Sequence, residues 1–302
     1  MKTIHALTAA AGLIAGGMCH AGDGAFEINQ ACADVGCFPG DSAGLPVTIT
    51  APGTYHMTGN LSVSNITTDA IVVAVSDVTI DMKGFRIAGP ITCGGTPTAC
   101  TPAVIGGGAV GVDGWTFSPS NVVVRNGSVT GMGTGLLLSI DGRAEGIKAT
   151  QNGYAGIRAR AGAAVIDSMG TANGKIGIEG GLIENCVVSR NPQYGLATTG
   201  DGAVVRNVVV QGNTGYGIYL APGASVAGVT VSGNDIGVFA TGGSQIVDSV
   251  FKSNTHVAIT NSQGTLAVAR STFADNNGGG LLWGGVVVQL APNLCGASMT
   301  CP

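Results

Sequence analysis

The sequence is short of charge. Only 13 Lys and Arg and 17 Asp and Glu occur among 302 residues, for a net charge of −4. No stretch is basic enough to follow a phosphate backbone, which argues against nucleic acid as a partner. Scarce charge combined with 45% hydrophobic residues also excludes a chain kept disordered by self-repulsion. Beyond the N-terminus no apolar run approaches the ~18 residues of a membrane-crossing helix. Histidine is limited to four residues. In the repeat frame neither His56 nor His256 lines up with an Asp or Ser, so both are expected to be turn or surface residues rather than catalysts. Aromatic residues make up only 5% of the chain.

Glycine, by contrast, is abundant: 52 residues, without the triplet period of collagen. It belongs to a repeat seen most plainly in Val204–Ala221, VVRNVVVQGNTGYGIYLA. A short β-prone run is followed by one Asn, a second run, an Asn-Gly turn and a third run opening with Gly-Ile. The turn asparagine recurs at Asn152, Asn173, Asn191, Asn213, Asn234, Asn254 and Asn276, at intervals of 21, 18, 22, 21, 20 and 22. The apolar residue opening the third run recurs at Leu136, Ile157, Ile178, Leu196, Ile218, Val238, Ile259 and Leu281. Such a period marks a solenoid. The expected fold is all-β, with three short strands per coil of about 21 residues. The one-residue corner after the first strand is Asn126, Asn185 or Asn207, or else Gly146, Ser168, Gly228, Ser249 or Ser271. Asn and Gly tolerate the left-handed backbone of a corner. The turn asparagines are expected to satisfy backbone groups rather than a ligand.

Four segments are expected. Residues 1–21 read as a secretory signal: Lys2, an apolar core from Ala6 to Met18, and cleavage after Ala21. A lipid-bearing Cys19 is the alternative, which the preceding Gly-Gly-Met fits poorly. Residues 22–44 form an N-terminal cap, 45–290 the solenoid, and 291–302 a disulfide-tied tail, with residues 90–109 a loop inserted between the second and third strand types. Export permits disulfides, and proximity favours Cys32–Cys37, Cys93–Cys100 and Cys295–Cys301. Cys186 stands where neighbouring repeats carry Val208, Val229 and Val250, and is expected to be a buried thiol.

The coil length, the Asn corner before the middle strand and the N-x-x-G-I phrase, as in NTGYGI from Asn213, resemble the right-handed parallel β-helix, or pectate-lyase-like, superfamily over about residues 45–290. That resemblance implies a groove along the third-strand sheet. The outward column there would be Leu137, Arg158, Glu179, Ala197, Tyr219, Phe239, Thr260 and Leu282, with Arg160 on the same face. Arg forks bind carboxylates and aromatic faces stack on sugar rings, so Arg158, Arg160, Glu179, Tyr219 and Phe239 are candidates for an acidic oligo- or polysaccharide. The bland alternative pairs Arg158 with Glu179 and uses the rings only to cover the sheet. Trp115 could pack over a turn or over a ligand. A second column at the end of the first strand reads Asp81, Arg125, Glu145, Asp167, Glu184, Arg206, Ala227, Asp248, Arg270. Its alternating signs suggest the pairs Arg125–Glu145, Glu184–Arg206 and Asp248–Arg270. Its run of Glu145, Asp167 and Glu184 suggests a Ca²⁺ site, a structural ladder or a general acid.

The resemblance implies no particular enzyme. The Asn-Thr-Asp, Asp-Asp and Gly-His-Gly elements of polygalacturonases, the Trp-Ile-Asp-His of pectate lyases and the Asp-Pro-His-Asp of epimerases are all absent. The expected function is carbohydrate binding by an exported monomer, secreted or periplasmic. The alternatives are a polysaccharide lyase or glycoside hydrolase, with Arg158 or Arg160 as the base of a lyase, or a structural or adhesive surface protein.

Overall fold

The computed structural model describes residues 24–104, 107–296 and 301; the expected leader, 1–21, lies outside them. The chain winds into a parallel β-helix. Third strands stack into an eleven-stranded sheet from Val47–Ile49 to Trp283–Gly284. First and middle strands stack into a second sheet of 21 strands.

Alternation along each short strand drives this winding. In Val204–Arg206 only Val205 turns fully inward, and its stacked equivalents Val165, Ile183, Val226 and Ile246 are likewise wholly buried. Burying such a side chain contributes roughly 1.5–3 kcal/mol, and no coil can do so without its neighbours.

The turn asparagines form an internal ladder. Asn213 Oδ1 accepts from Asn191 N at 2.9 Å and Asn191 Nδ2 at 3.1 Å, while Asn213 itself donates N and Nδ2 to Asn234 Oδ1 at 3.0 and 2.8 Å. The pattern repeats from Asn152 to Asn276, and every member is buried. This ladder explains the glycine of the Gly-Ile phrase. A Cβ on Gly195 would stand 2.5 Å from Asn213 Nδ2 and 2.6 Å from Gly217 O, so the next coil fills the space a side chain would need.

The corners differ in part from expectation. Asn126, Asn185 and Asn207 are left-handed, as are Gly146 and Gly228. In three coils, however, the left-handed residue is Asp167, Asp248 or Arg270, not the following serine. Ser168, Ser249 and Ser271 instead turn inward. Their hydroxyls accept from Ile147 N, Val229 N and Ser249 N of the preceding coil, at 3.1, 3.3 and 3.2 Å, and donate to the carbonyl two residues back.

Both ends are elaborated. Phe26–Ile28 already pairs with Gly53–Met57, and the four-residue helix Gln30–Ala33, capped by Asn29, buries Cys32 and Ala33. Disulfides join Cys32–Cys37, Cys93–Cys100 and Cys295–Cys301, while Cys186 is free and buried. Near the C-terminal end a tight turn, Asn276–Gly279, lengthens the coil. Trp283 therefore takes the inward place beside Ile259 and Gly284 the outward place beside Thr260, instead of Leu281 and Leu282.

Candidate functional site

The outward column of the eleven-stranded sheet runs Thr48, Val72, Asp113, Leu137, Arg158, Glu179, Ala197, Tyr219, Phe239, Thr260, Gly284. The register thus joins Arg158 to Glu179 and Tyr219 to Phe239, as the strand pattern predicts. Arg158 Nε donates to Glu179 Oε2 at 2.5 Å. Burial opposes the Arg158 charge, but the Glu179 hydrogen bond and carboxylate, with help from Tyr154, hold its pKa above the ordinary arginine value. Arg158 is therefore a fixed cation, and a proton-abstracting role for it has no support.

Trp115 covers this pair. Its ring lies 4.4 Å from the Arg160 guanidinium carbon and 5.4 Å from that of Arg158, within cation–π reach. Asp113 fixes the turn that carries it. Buried to 3% exposure, its Oδ1 accepts from Trp115 N at 2.8 Å and Thr116 N at 3.1 Å, and Oδ2 takes the Thr116 hydroxyl. The sequence frame missed Asp113 because the 90–109 insertion interrupts the repeat just before it. Arg160 Nε is buried and has no hydrogen-bond partner among the described residues.

Below these cations lies an array of four rings. Tyr219 and Phe239 stack at 5.6 Å, Tyr216 and Phe239 at 4.9 Å and Tyr194 and Tyr216 at 5.8 Å, with Tyr194 and Tyr219 tilted at 5.1 Å. Tyr194 and Tyr216 occupy the residue before Gly-Ile or Gly-Leu, and each stacks on its coil neighbour. The signal was present as aromatic residues 22 apart, but the outward column alone did not include them. Tyr154, in the turn above, approaches Arg158 at 5.6 Å and Lys175 at 5.1 Å.

The second column is altered by the corner shift. Glu145 lies beside Ile166, and Ile166 beside Glu184. Asp167 sits on the corner, so the three carboxylates do not stack. No cluster of three or more His, Cys, Asp or Glu able to hold a metal occurs among the described residues. Arg125 turns to Asp81 at 3.1 Å rather than to Glu145, which takes Arg143 at 3.2 Å. Glu184 and Arg206 are register neighbours. Asp248 and Arg270 do pair, by two bonds of 2.7 and 2.8 Å, but across corners. His256 is not isolated: Nδ1 meets Asp235 Oδ1 one coil away, on an exposed turn. Both residues lie in the variable part of the turn, where coil lengths differ and sequence alignment fails.

Residues 52–294 match the family model described as "Right handed beta helix region". No curated protein matches the sequence. Solved structures with a similar fold include two Azotobacter vinelandii mannuronan C-5 epimerase A-modules. The AlgE6 module has TM-score 0.61 and 16% identity, covering 79% of this chain and 71% of its own. The AlgE4 module has TM-score 0.54 and 17% identity, covering 74% and 68%. The periplasmic alginate epimerase AlgG is also similar, with TM-score 0.54 and 12% identity over 81% and 68%.

Proposed function

The chain belongs to the right-handed β-helix family, and on that premise we propose that it is an exported protein that binds an acidic polysaccharide along its eleven-stranded sheet. The observation that carries this reading is the ring array. A chain with five Tyr, seven Phe and two Trp places Tyr194, Tyr216, Tyr219 and Phe239 together on one half-exposed face. Sugar rings stack on such faces. Arg158 and Arg160 stand a few coils away under Trp115, and guanidinium groups suit a carboxylate. Three disulfides fit an oxidising compartment, outside the cell or in a periplasm. Epimerases named for mannuronan and alginate share the fold, which makes a polyuronate the first probe to try.

A second reading, a carbohydrate-active enzyme, has one observation in its favour: Asp235 orients the exposed His256 imidazole, as a general base requires. One experiment separates the two. Affinity electrophoresis on mannuronan, polygalacturonate and a neutral glucan is run for the native protein and for Tyr219→Ala/Phe239→Ala, and the polymers are then assayed for new ends or altered stereochemistry. Retardation by a polyuronate, weakened in the double variant with the polymer unchanged, is the expected result. Equal migration in all gels sinks the binding proposal, and altered polymer moves the function to catalysis.

A further inference from the structure

Where the middle strands end, on the other side of the Asn turn from the ring array, the disulfide hairpin Thr92–Gly94/Ala99–Thr101 folds down onto the helix. Gln151 Nε2 donates to Cys93 O at 3.1 Å and Thr98 Oγ1 to Arg190 O at 2.7 Å, so two points of the hairpin are fixed. Between hairpin and coils lies a cleft of about 380 Å³ lined by Cys93, Thr98, Gln151, Met169, Thr171 and Arg190. A second hollow of about 480 Å³ continues from Arg190 past Ser189, Gln211 and Ser232. Thr171, Ser189, Gln211 and Ser232 of this lining belong to one register column, with Thr150 before them and Lys252 after them. Arg190 is exposed at the junction, on a left-handed corner with φ 57°, and forms no ion pair among the described residues.

We propose that this groove is a second saccharide site, independent of the sheet face, that takes a uronate oligosaccharide. A free guanidinium supplies a bidentate match for one carboxylate. Thr171 and Ser189 are buried and bonded to each other, so the exposed Gln211 and the partly exposed Ser232, one coil or ~4.8 Å apart, are the groups that meet a chain rich in hydroxyls. One guanidinium among neutral donors suits a singly charged, hydroxylated unit better than a phosphate, which recruits several cations or a nest of backbone N–H groups. Lys252, three coils beyond Ser189 and hence ~14 Å along the stack, is placed for a second carboxylate.

The test is calorimetric titration with tetramannuronate, cellotetraose and inorganic phosphate. The proteins are the native chain, Arg190→Asn, Gln211→Ala, and both substitutions in a Tyr219→Ala/Phe239→Ala background. Asn tolerates the left-handed corner, so Arg190→Asn keeps the fold, which a thermal melt checks. In the Tyr219→Ala/Phe239→Ala background, which removes the sheet site, tetramannuronate binding is expected to persist and to weaken at least tenfold in Arg190→Asn and severalfold in Gln211→Ala. The proposal is overturned if, in that background, Arg190→Asn binds like its parent, no tetramannuronate binding occurs, or phosphate or cellotetraose binds as well as tetramannuronate. Loss of binding confined to the ring variant would leave only the sheet site. Loss confined to Arg190→Asn would leave only this one.

Discussion

Arg158 and Glu179 face each other across adjacent coils, Nε to Oε2 at 2.5 Å, beneath Trp115 and one coil above Ala197. The pair is half-buried, and its contribution to folding is on the order of 1 kcal/mol or less. Its larger effect is on charge: Glu179 occupies a face of the guanidinium that a polyuronate carboxylate would otherwise use. Glu179→Ala is therefore expected to tighten polyuronate binding severalfold at low ionic strength, and Arg158→Ala to weaken it. Both effects should shrink as salt screens the charges. Affinity electrophoresis at two salt concentrations reads this directly. An unchanged mobility for Glu179→Ala would mean that the polymer does not meet Arg158.

The asparagine ladder makes the turn glycines and asparagines interdependent. Asn213→Ala removes the acceptor for Asn191 N, and an unsatisfied buried donor costs about 1–3 kcal/mol. Gly195→Ala forces a Cβ against Asn213 Nδ2 and Gly217 O, an overpacking worth another ~1–3 kcal/mol. In the double variant the two losses should not add, because removing the Asn213 side chain relieves part of the crowding at Gly195. Urea unfolding of the two single variants and the double variant measures this coupling. Full additivity would contradict the contact.

The repeat made the coil, its three strands, the third-strand column and the disulfide partners legible, because all follow from alternation and spacing that local chemistry enforces. The pairing of Tyr219 with Phe239 and of Arg158 with Glu179 comes from that periodicity alone. What failed has two causes. Ser168, Ser249 and Ser271 resemble corner residues by type, yet they act as inward hydrogen-bonding plugs, which shifts Asp167, Asp248 and Arg270 by one place. A one-residue shift changes the face a side chain meets, so the three-carboxylate ladder dissolves. Asp113 and the His256–Asp235 pair were hidden because insertions and uneven turns break the frame that reveals everything else.

Asp81 is a buried carboxylate tied to the fold by Lys83 N, Asn126 and Arg125. Burial alone would raise its pKa. The Lys83 amide, the Asn126 side chain and the Arg125 and Lys83 charges outweigh burial and hold it below the ordinary range. A depressed carboxylate stabilises the folded state above its unfolded pKa, about 3.9, and that stability is lost as pH falls through the folded value. Thermal melts from neutral pH downwards should therefore show an acid limb that is flatter in Asp81→Asn. That variant should also melt lower at neutral pH, where the wild-type carboxylate is fully engaged. Parallel pH profiles for the two proteins would remove Asp81 from the acid transition.

Cys186 gives the opposite limb. Burial pushes its thiol from 9.0 up to about 11, against smaller opposing hydrogen bonds and with added repulsion from Asp167 and Glu184. A raised acid favours the folded state below the unfolded thiol pKa, and the advantage fades as pH climbs from about 9 towards about 11. Its Sγ donates to Glu184 O at 3.1 Å, and its place in the coil is that of Val208 and Val229. Cys186→Val fills that place with the side chain its neighbours use and removes the titration. At neutral pH the variant should melt within about 1.5 kcal/mol of wild type, as volume-conserving core exchanges do. Above pH 9 it should gain relative stability, because only the wild type has a buried thiol that must ionise on unfolding. The same burial makes Cys186 unreactive towards a thiol reagent until the chain unfolds. Labelling in the native state, or an alkaline profile identical in both proteins, would show that the thiol reaches solvent and that the Val column is open at this coil.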